Sequence, residues 1–208
     1  MAQETFNGVI DISHHNGKPD LAKARADGIV GVIQKATQGQ SFVDPTFIRN
    51  RKAALDNGLL FGAYHFGDGS DGVTQAELFL ATARPDAATV VVLDFEGNSA
   101  GPSMTLEEAR AFVTHVQEEL GRFPLLYSGH TIKEALGHRI DPVLKNCALW
   151  LAQYGPTPVV PTCWDKWTLW QYTDGALGPL PHEVKGVGRC DRDRFNGTEA
   201  ELRSWWGS

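Results

Sequence analysis

Short apolar runs rich in β-branched residues recur along the whole chain, and this repetition limits the possible folds more than any other feature. Longer segments with helical periodicity separate several of the runs, a pattern typical of a parallel sheet assembled from βα units. The sequence therefore predicts eight strands, at Gly8–Ile12, Ile29–Lys35, Leu59–Phe66, Thr89–Phe95, Phe123–Tyr127, Ala148–Ala152, Trp167–Gln171 and around Val187–Cys190.

Eight parallel strands in 208 residues predict a single α/β domain over residues 1–208, a closed (β/α) TIM-like barrel near the lower size limit of its class. Some crossover helices must then be shortened or missing. The proline-containing stretch 155–162 indicates a loop, so we expect the second half to be the irregular half. Periodicity alone does not exclude a doubly wound open sheet, which is the competing topology.

Two helices have recognisable start signals. Thr105 and Glu108 form a capping-box pattern before an apolar stripe that ends near Gly121. Thr198 and Glu201 repeat the same spacing at the start of a short last helix. We therefore expect helices at both places.

Composition excludes several classes of function. A net charge of −6 argues against electrostatic binding of nucleic acid or anionic lipid. No apolar stretch approaches the roughly 20 residues that a membrane-spanning helix needs, and Met1–Asn7 lacks the pattern of a secretory signal. The cysteines Cys147, Cys163 and Cys190 lack metal-ligand spacing, allow at most one disulfide and are predicted to be structural.

The Asp94-Phe95-Glu96 triplet is the strongest chemical signal. Side chains two apart on a strand share a face, so we expect both carboxylates to point into the barrel. Two like charges in a partly buried cleft disfavour simultaneous ionisation, and one then keeps a proton with which it can protonate a glycosidic oxygen. The alternative is that the pair caps a helix or forms an ion pair with Lys35 or an arginine.

Polar and aromatic side chains end most of the other predicted strands, at the face where barrel enzymes gather functional groups. Aromatic rings suit the C–H faces of sugars. The candidates are Tyr64, Tyr127, Trp150, Trp170 and Tyr172. Alternatively, strand-end aromatics such as Trp150 and Trp170 only close the core, and for Trp205 and Trp206 packing is the favoured interpretation.

The histidines favour structural interpretations. His14 and His15 beside Asp11 suggest a metal site, but adjacent residues on a strand face opposite ways and need a turn to share one ion. His65, between Tyr64 and Phe66, is typical of a hydrogen-bonded core residue. We therefore predict no metal and no cofactor.

Taken in order, the motifs resemble the glycoside hydrolase family 25 muramidases from about Asn7 to Phe195. The segments that carry the resemblance are Gly8–Ser13 with Asn16-Gly17, Val32–Gly39, Gly62–Phe66, Gln75–Leu80, Leu93–Glu96, Leu149–Tyr154, Leu169–Tyr172 and Cys190–Phe195. Two positions depart from the family pattern: Asp193 stands where asparagine is common, and Asn16 where glutamine often occurs.

The resemblance implies a flattened barrel with fewer helices than strands, and hydrolysis of the β-1,4 bond between N-acetylmuramic acid and N-acetylglucosamine in bacterial peptidoglycan. It implies that Glu96 is the general acid and Asp94 its partner, with Asp11 and Asp191 as further cleft acids. Substrate-binding positions implied in the same way are Tyr64, Lys35, Tyr127, Trp150 and Gln171. We expect a monomer that acts on the cell wall.

Our mechanistic hypothesis is a substrate-assisted reaction in which the sugar's N-acetyl carbonyl is the nucleophile, so that anomeric configuration is retained. Two other classes of function compete with it. One is a catalytically silent barrel that only binds cell-wall glycan, and the other is a metal-dependent hydrolase that uses Asp11, His14 and Asp94.

Overall fold

A computed structural model describes residues 4–206, and residues 1–3 of the segment inspected for a secretory signal lie outside this range. The strands are β1 (Phe6–Ile12), β2 (Gly31–Gln38), β3 (Phe42–Val43), β4 (Leu60–Phe66), β5 (Val90–Asp94), β6 (Leu125–Ser128), β7 (Leu149–Ala152), β8 (Leu169–Thr173), β9 (Glu183–Val184), β10 (Gly188–Arg189) and β11 (Asp191–Phe195). The α-helices are α1 (Leu21–Ala26), α2 (Phe47–Asp56), α3 (Gly72–Ala83), α4 (Leu106–Leu120), α5 (His130–Leu136) and α6 (Glu199–Trp206).

Eight of these strands close into a barrel in the order β1-β2-β4-β5-β6-β7-β8-β11, and β11 pairs back onto β1. The short strand β3 extends the edge of β2. The closed ring confirms the predicted α/β barrel and excludes the open doubly wound sheet. The first seven predicted strands are all present, with their ends shifted.

The eighth predicted strand was wrong in place and in direction. Gly188–Arg189 belongs to a small antiparallel pair with Glu183–Val184, and the barrel is closed instead by Asp191–Phe195, which runs antiparallel to both neighbours. A parallel strand needs a crossover connection that carries the chain back across the barrel. The described segment between β8 and β11 holds only this hairpin, so the chain re-enters the barrel from the cleft side.

The predicted helix starts are confirmed. The Thr105 hydroxyl accepts from the Glu108 backbone N–H at 3.3 Å, the Glu108 carboxylate accepts from the Thr105 N–H at 2.6 Å, and Gly121 ends α4 with φ +70°. Thr198 and Glu201 make the same pair of contacts before α6. The second half is irregular as predicted, because the connection between β7 and β8 contains no α-helix.

Alternation along the strands separates two packed layers. On β5, Val90 and Val92 belong to the cluster inside the barrel, whereas Val91 and Leu93 join the cluster between barrel and helices. This parity aims the next inward position, Asp94, at the open end of the barrel. The interior is therefore a packed apolar core with polar groups at its mouth.

The structure also tests the expectations about the cysteines and about membrane-spanning helices. Cys147, Cys163 and Cys190 are buried free thiols, and burial raises the pKa of Cys147 and Cys190 to about 12, so both thiols stay protonated and unreactive. Within residues 4–206, none of the helices combines the length and apolarity needed to cross a bilayer.

Candidate active site

The barrel mouth holds a polar cavity of about 180 Å³. Of the catalytic and substrate-binding residues that the family resemblance implies, all except Lys35 line it, and Tyr154 joins them. The full lining is Asp11, Tyr64, Asp94, Glu96, Tyr127, Trp150, Tyr154, Gln171 and Asp191. These side chains come from seven barrel strands or from the residues just after them. They meet in one cavity because each occupies an inward-facing position near the barrel mouth.

The backbone around Phe95 fixes the direction of the two central carboxylates. Its N–H donates to the Tyr127 carbonyl at 2.9 Å, and its carbonyl accepts from the Ser128 hydroxyl at 2.6 Å. These bonds carry the extended conformation of β5 one residue further, while the Phe95 ring packs in the outer core. Asp94 and Glu96 consequently face the same cavity.

Burial makes this carboxylate pair hard to ionise completely. It raises the pKa of Asp94 well above its usual value, and the neighbouring Glu96 raises it further. Burial also raises the pKa of Glu96, against the opposing effect of Lys35. Two strongly interacting carboxyls titrate as a pair, so one of their two protons is retained at a pH where ordinary carboxyls have lost theirs.

The two members of the pair have different access to the cavity. Asp94 is only 6% exposed, and its Oδ1 has no hydrogen-bond partner among the described residues. Glu96 is less buried and also borders a second cavity beside the first. The arrangement suits Glu96 to exchange a proton with a bound molecule, and Asp94 to accept a hydrogen bond from it.

Lys35 lies beside the cavity and not in its lining. Its Nζ donates to the Gln38 side-chain oxygen at 2.6 Å and lies 4.7 Å from the centre of the Phe66 ring. Burial lowers the pKa of Lys35, while Asp94, Asp44 and Glu96 oppose that effect in this order. Lys35 therefore acts on the acidic pair through charge and makes no ion pair with it.

A hydrogen-bonded network organises the far wall of the cavity. Gln171 donates from Nε2 to Asp11 Oδ2 at 2.8 Å. Its Oε1 accepts from the hydroxyls of Tyr127, at 2.9 Å, and Tyr154, at 2.8 Å. Burial raises the pKa of both tyrosines, so their hydroxyls keep the protons that they donate. Tyr154 was not among the predicted site residues, although it lies in one of the recognised motifs.

Asp193 contacts a residue of the cavity wall, Trp150, but does not line the cavity itself. It is fully buried and accepts from Trp150 Nε1 at 2.7 Å, and its Oδ2 has no hydrogen-bond partner among the described residues. Burial raises the pKa of Asp193 and of Asp11 well above the usual value. Asp193 forms no ion pair with a described residue, so burial favours its protonated, uncharged form.

Asp191 completes the acidic lining from the antiparallel strand. It stands opposite Asp11 in the β1–β11 pairing. Burial raises its pKa to about 6, with a further contribution from Asp174. The strand direction explains its position: since β11 starts at the cleft side, its first residue lies at the mouth.

The prediction that Tyr172 faces the cleft was wrong, and of the two interpretations of Trp170 the structure supports packing in a core. Both belong to a cluster on the outside of the barrel, where the Trp170 indole donates to the Gln153 carbonyl at 2.7 Å and the Tyr172 hydroxyl donates to the Pro181 carbonyl at 3.0 Å. Residue 171 faces the cavity, and its two neighbours on the strand must face outward.

The histidines make structural contacts. His14 lies in a one-turn 3-10 segment after β1, and its Nδ1 contacts Asp44 Oδ2 at 2.8 Å. His65 is fully buried between Thr37 and Gln75, and burial lowers its pKa to about 4. Among residues 4–206, no three His, Cys, Asp or Glu side chains converge as a metal-binding group. The described geometry therefore does not form the proposed Asp11, His14 and Asp94 set.

Comparisons with known proteins agree with this geometry. The family model "Glycosyl hydrolases family 25" matches residues 10–178. Lysozyme M1 of Streptomyces globisporus is 27% identical over 212 residues, covering 93% of this chain and 69% of that protein. Among solved structures, the bacterial lysozyme from Streptomyces coelicolor has a TM-score of 0.85 at 28% identity, covering 97% of this chain and 96% of that chain.

A family GH25 lysozyme from Aspergillus fumigatus has a TM-score of 0.84 at 30% identity, covering 99% of this chain and 100% of that chain. The family match extends over well more than half of the chain, and the fold matches extend over nearly all of it. The chain therefore belongs to glycosyl hydrolase family 25 and is a glycoside hydrolase of the lysozyme type.

Proposed function

We propose that this chain is an N-acetylmuramidase that cleaves the β-1,4 bond between N-acetylmuramic acid and N-acetylglucosamine in bacterial peptidoglycan, as one catalytic domain. The observation that carries the proposal is that Asp94, at the end of β5, and Glu96, two residues later, face the same cavity, where burial and mutual repulsion disfavour ionisation of both carboxyls. Peptidoglycan hydrolysis implies action at the cell wall, in an extracellular or periplasmic setting.

In the proposed first step, Glu96 transfers its proton to the glycosidic oxygen while the C1–O bond breaks. The carbonyl oxygen of the sugar's 2-acetamido group attacks C1 and forms an oxazolinium ion. The acetamido N–H donates to Asp94, whose buried Oδ1 lacks a partner among the described residues. This contact favours the ionised form of Asp94 and leaves the shared proton on Glu96.

In the second step, water attacks C1 from the face that the leaving group vacated, and Glu96 takes up its proton. The oxazolinium opens, and the anomeric configuration is retained. The phenol of Tyr64 lines the same cavity, and burial raises its pKa well above the usual value, so it is available as a hydrogen-bond donor to the reacting sugar. Asp11, Asp191 and the Gln171 network orient hydroxyl groups in this proposal.

Replacement of the two carboxyls tests the assignment. We expect Glu96→Gln and Asp94→Asn each to lower kcat on purified peptidoglycan by about 100-fold or more, because each removes a proton-transfer or charge-stabilising group. Glu118→Gln, which changes an exposed residue of α4, is the matched control and should keep full activity. A folded Glu96→Gln protein with wild-type activity would remove Glu96 from the acid role.

Product analysis separates the competing functions. Mass spectrometry of released fragments should find N-acetylmuramic acid at the new reducing ends, and NMR of the first product should find the β anomer. An inverted anomer contradicts the internal nucleophile, and no fragments at all would favour a silent glycan-binding barrel. Loss of activity on chelation would instead favour the metal-dependent alternative.

A further inference from the structure

A second cavity opens beside the catalytic one and has a volume of about 410 Å³. We call it the side groove. It shares Glu96, Tyr127 and Tyr154 with the catalytic cavity, and its other walls are Gly97, Gly129, His130, Thr131, Lys133, Ala152 and Gln153. A substrate held at Glu96 can therefore extend directly into it.

Lys133 brings an uncompensated positive charge to the side groove. Its Nζ donates to the neutral Gln153 Oε1 at 2.7 Å, and it forms no ion pair with any residue that the structure describes. The nearby carboxylate of Glu134 pairs with His130 instead, at 2.9 Å. Burial alone lowers the pKa of Lys133.

Gln153 holds this ammonium in a fixed place. Its Oε1 also accepts from the Val159 N–H at 3.1 Å, and its Nε2 donates to the Thr157 carbonyl at 2.9 Å. The side chain thereby ties the loop after β7 to α5. A cation that is partly withdrawn from water and held by a neutral partner gains stability when an anion binds it.

We propose that the side groove binds a carboxylate of the peptide carried by the muramic acid residue, with Lys133 as the contacting cation. The inference rests on the proposed muramidase function, since that function supplies a substrate with acidic peptides next to the scissile bond. Neutral sugar hydroxyls give no comparable gain at an ammonium group.

Muramic acid offers carboxylates from two sources, the attached peptide and its own lactyl group. The lactyl carboxyl is an uncharged amide wherever a peptide is attached. The side groove is also larger than the catalytic cavity, about 410 against 180 Å³. This volume favours a peptide over the smaller lactyl group. The peptide is therefore the source to which we assign the site.

The test compares Lys133→Met with Lys145→Met, an exposed lysine that lines neither cavity. Each variant is assayed on three soluble glycans: one bearing peptides, one whose peptides an amidase has removed, and one whose peptide carboxylates have been converted to amides. We expect Lys133→Met to raise KM about fivefold on the first glycan alone, with kcat unchanged and Lys133→Arg close to wild type.

A KM increase only on the peptide-free glycan would still support a carboxylate site, with the lactyl group as its source. Equal changes on all three glycans, no change on any, or the same change in Lys145→Met would overturn the proposal. Wild-type cleavage of the peptide-free glycan tests the muramidase function independently, so failure of that function is distinguishable from failure of the Lys133 site.

Discussion

At the scale of single residues, several carboxyl groups in and next to the cleft form no ion pair with a described residue. Asp11, Asp94 and Asp193 are each less than 10% exposed, and burial is the leading cause of the raised pKa of each. Burying charge of one sign costs stability, and active sites commonly retain such costs because the chemistry needs them. A buried carboxyl that keeps its proton is uncharged, and this limits the loss of stability.

Asp193→Asn tests that interpretation. The amide keeps an acceptor for Trp150 Nε1 and cannot ionise. A raised pKa means that the contribution of Asp193 to stability is complete below the usual value of 3.8 and is lost as pH rises through the folded-state pKa. We therefore expect the unfolding free energy of the variant, relative to wild type, to increase by more than about 1 kcal/mol from acid to neutral pH.

Urea denaturation at a series of pH values measures this difference. Asp165→Asn makes the same change of carboxyl to amide at an exposed position and is the control. A pH-independent difference for Asp193→Asn would contradict a proton retained on Asp193.

At the scale of elements, helix α4 supports the strand that carries the acidic pair. Its buried face contributes Ala109, Phe112, Val113 and Val116 to the core that surrounds the barrel, the same core that holds the Phe95 ring. The start of this helix is fixed by local contacts, since its capping box satisfies backbone N–H groups that have no partner within the helix. Its stability should therefore respond to a change in the cap alone.

Thr105→Ala should lower the unfolding free energy by about 1 kcal/mol, because the variant loses the hydroxyl that accepts from the Glu108 N–H. Thr114→Ala alters an exposed threonine in the middle of the same helix and should be neutral or slightly stabilising. Chemical denaturation measures both. Equal losses in the two variants would show that the cap contributes nothing specific.

At the scale of the whole molecule, the barrel separates a closed end from a reactive end. Trp206 of α6 is 1% exposed, donates from Nε1 to the Phe61 carbonyl at 3.0 Å and packs with the apolar cluster inside the barrel. Gly31 makes room for it, because a Cβ at that position would lie 3.0 Å from the indole ring. The last helix thus closes the end of the barrel where the parallel strands begin.

Trp206→Ala should lower the unfolding free energy by about 3–5 kcal/mol, as expected for loss of a buried tryptophan. The kcat of the protein that stays folded should remain near wild type, since the catalytic cavity lies at the other end. Thermal or urea unfolding and activity at low temperature check the two parts. An unchanged unfolding midpoint, or a large fall in kcat of the folded variant, would contradict this separation.

Features that depend on neighbours in the chain could be predicted from the sequence. Strand alternation over residues 90–96 assigns each side chain to the inside or outside of the barrel, and residue spacing marks the helix caps. Both are local, because a side chain's face depends on its parity and a cap depends on residues three apart. The order of the motifs was enough to identify the family.

The direction of β11 and the protonation of the buried cleft carboxyls depend on tertiary structure. The outward orientation of Trp170 and Tyr172 is local in origin, because it follows from strand parity once residue 171 faces inward. The path of the loop after β8 sets the strand direction, and that path depends on packing across the barrel. The bond from Gln171 to Asp11 joins residues 160 positions apart. A carboxyl's charge depends on burial and on neighbours brought together from distant strands, and no local pattern in a sequence specifies these.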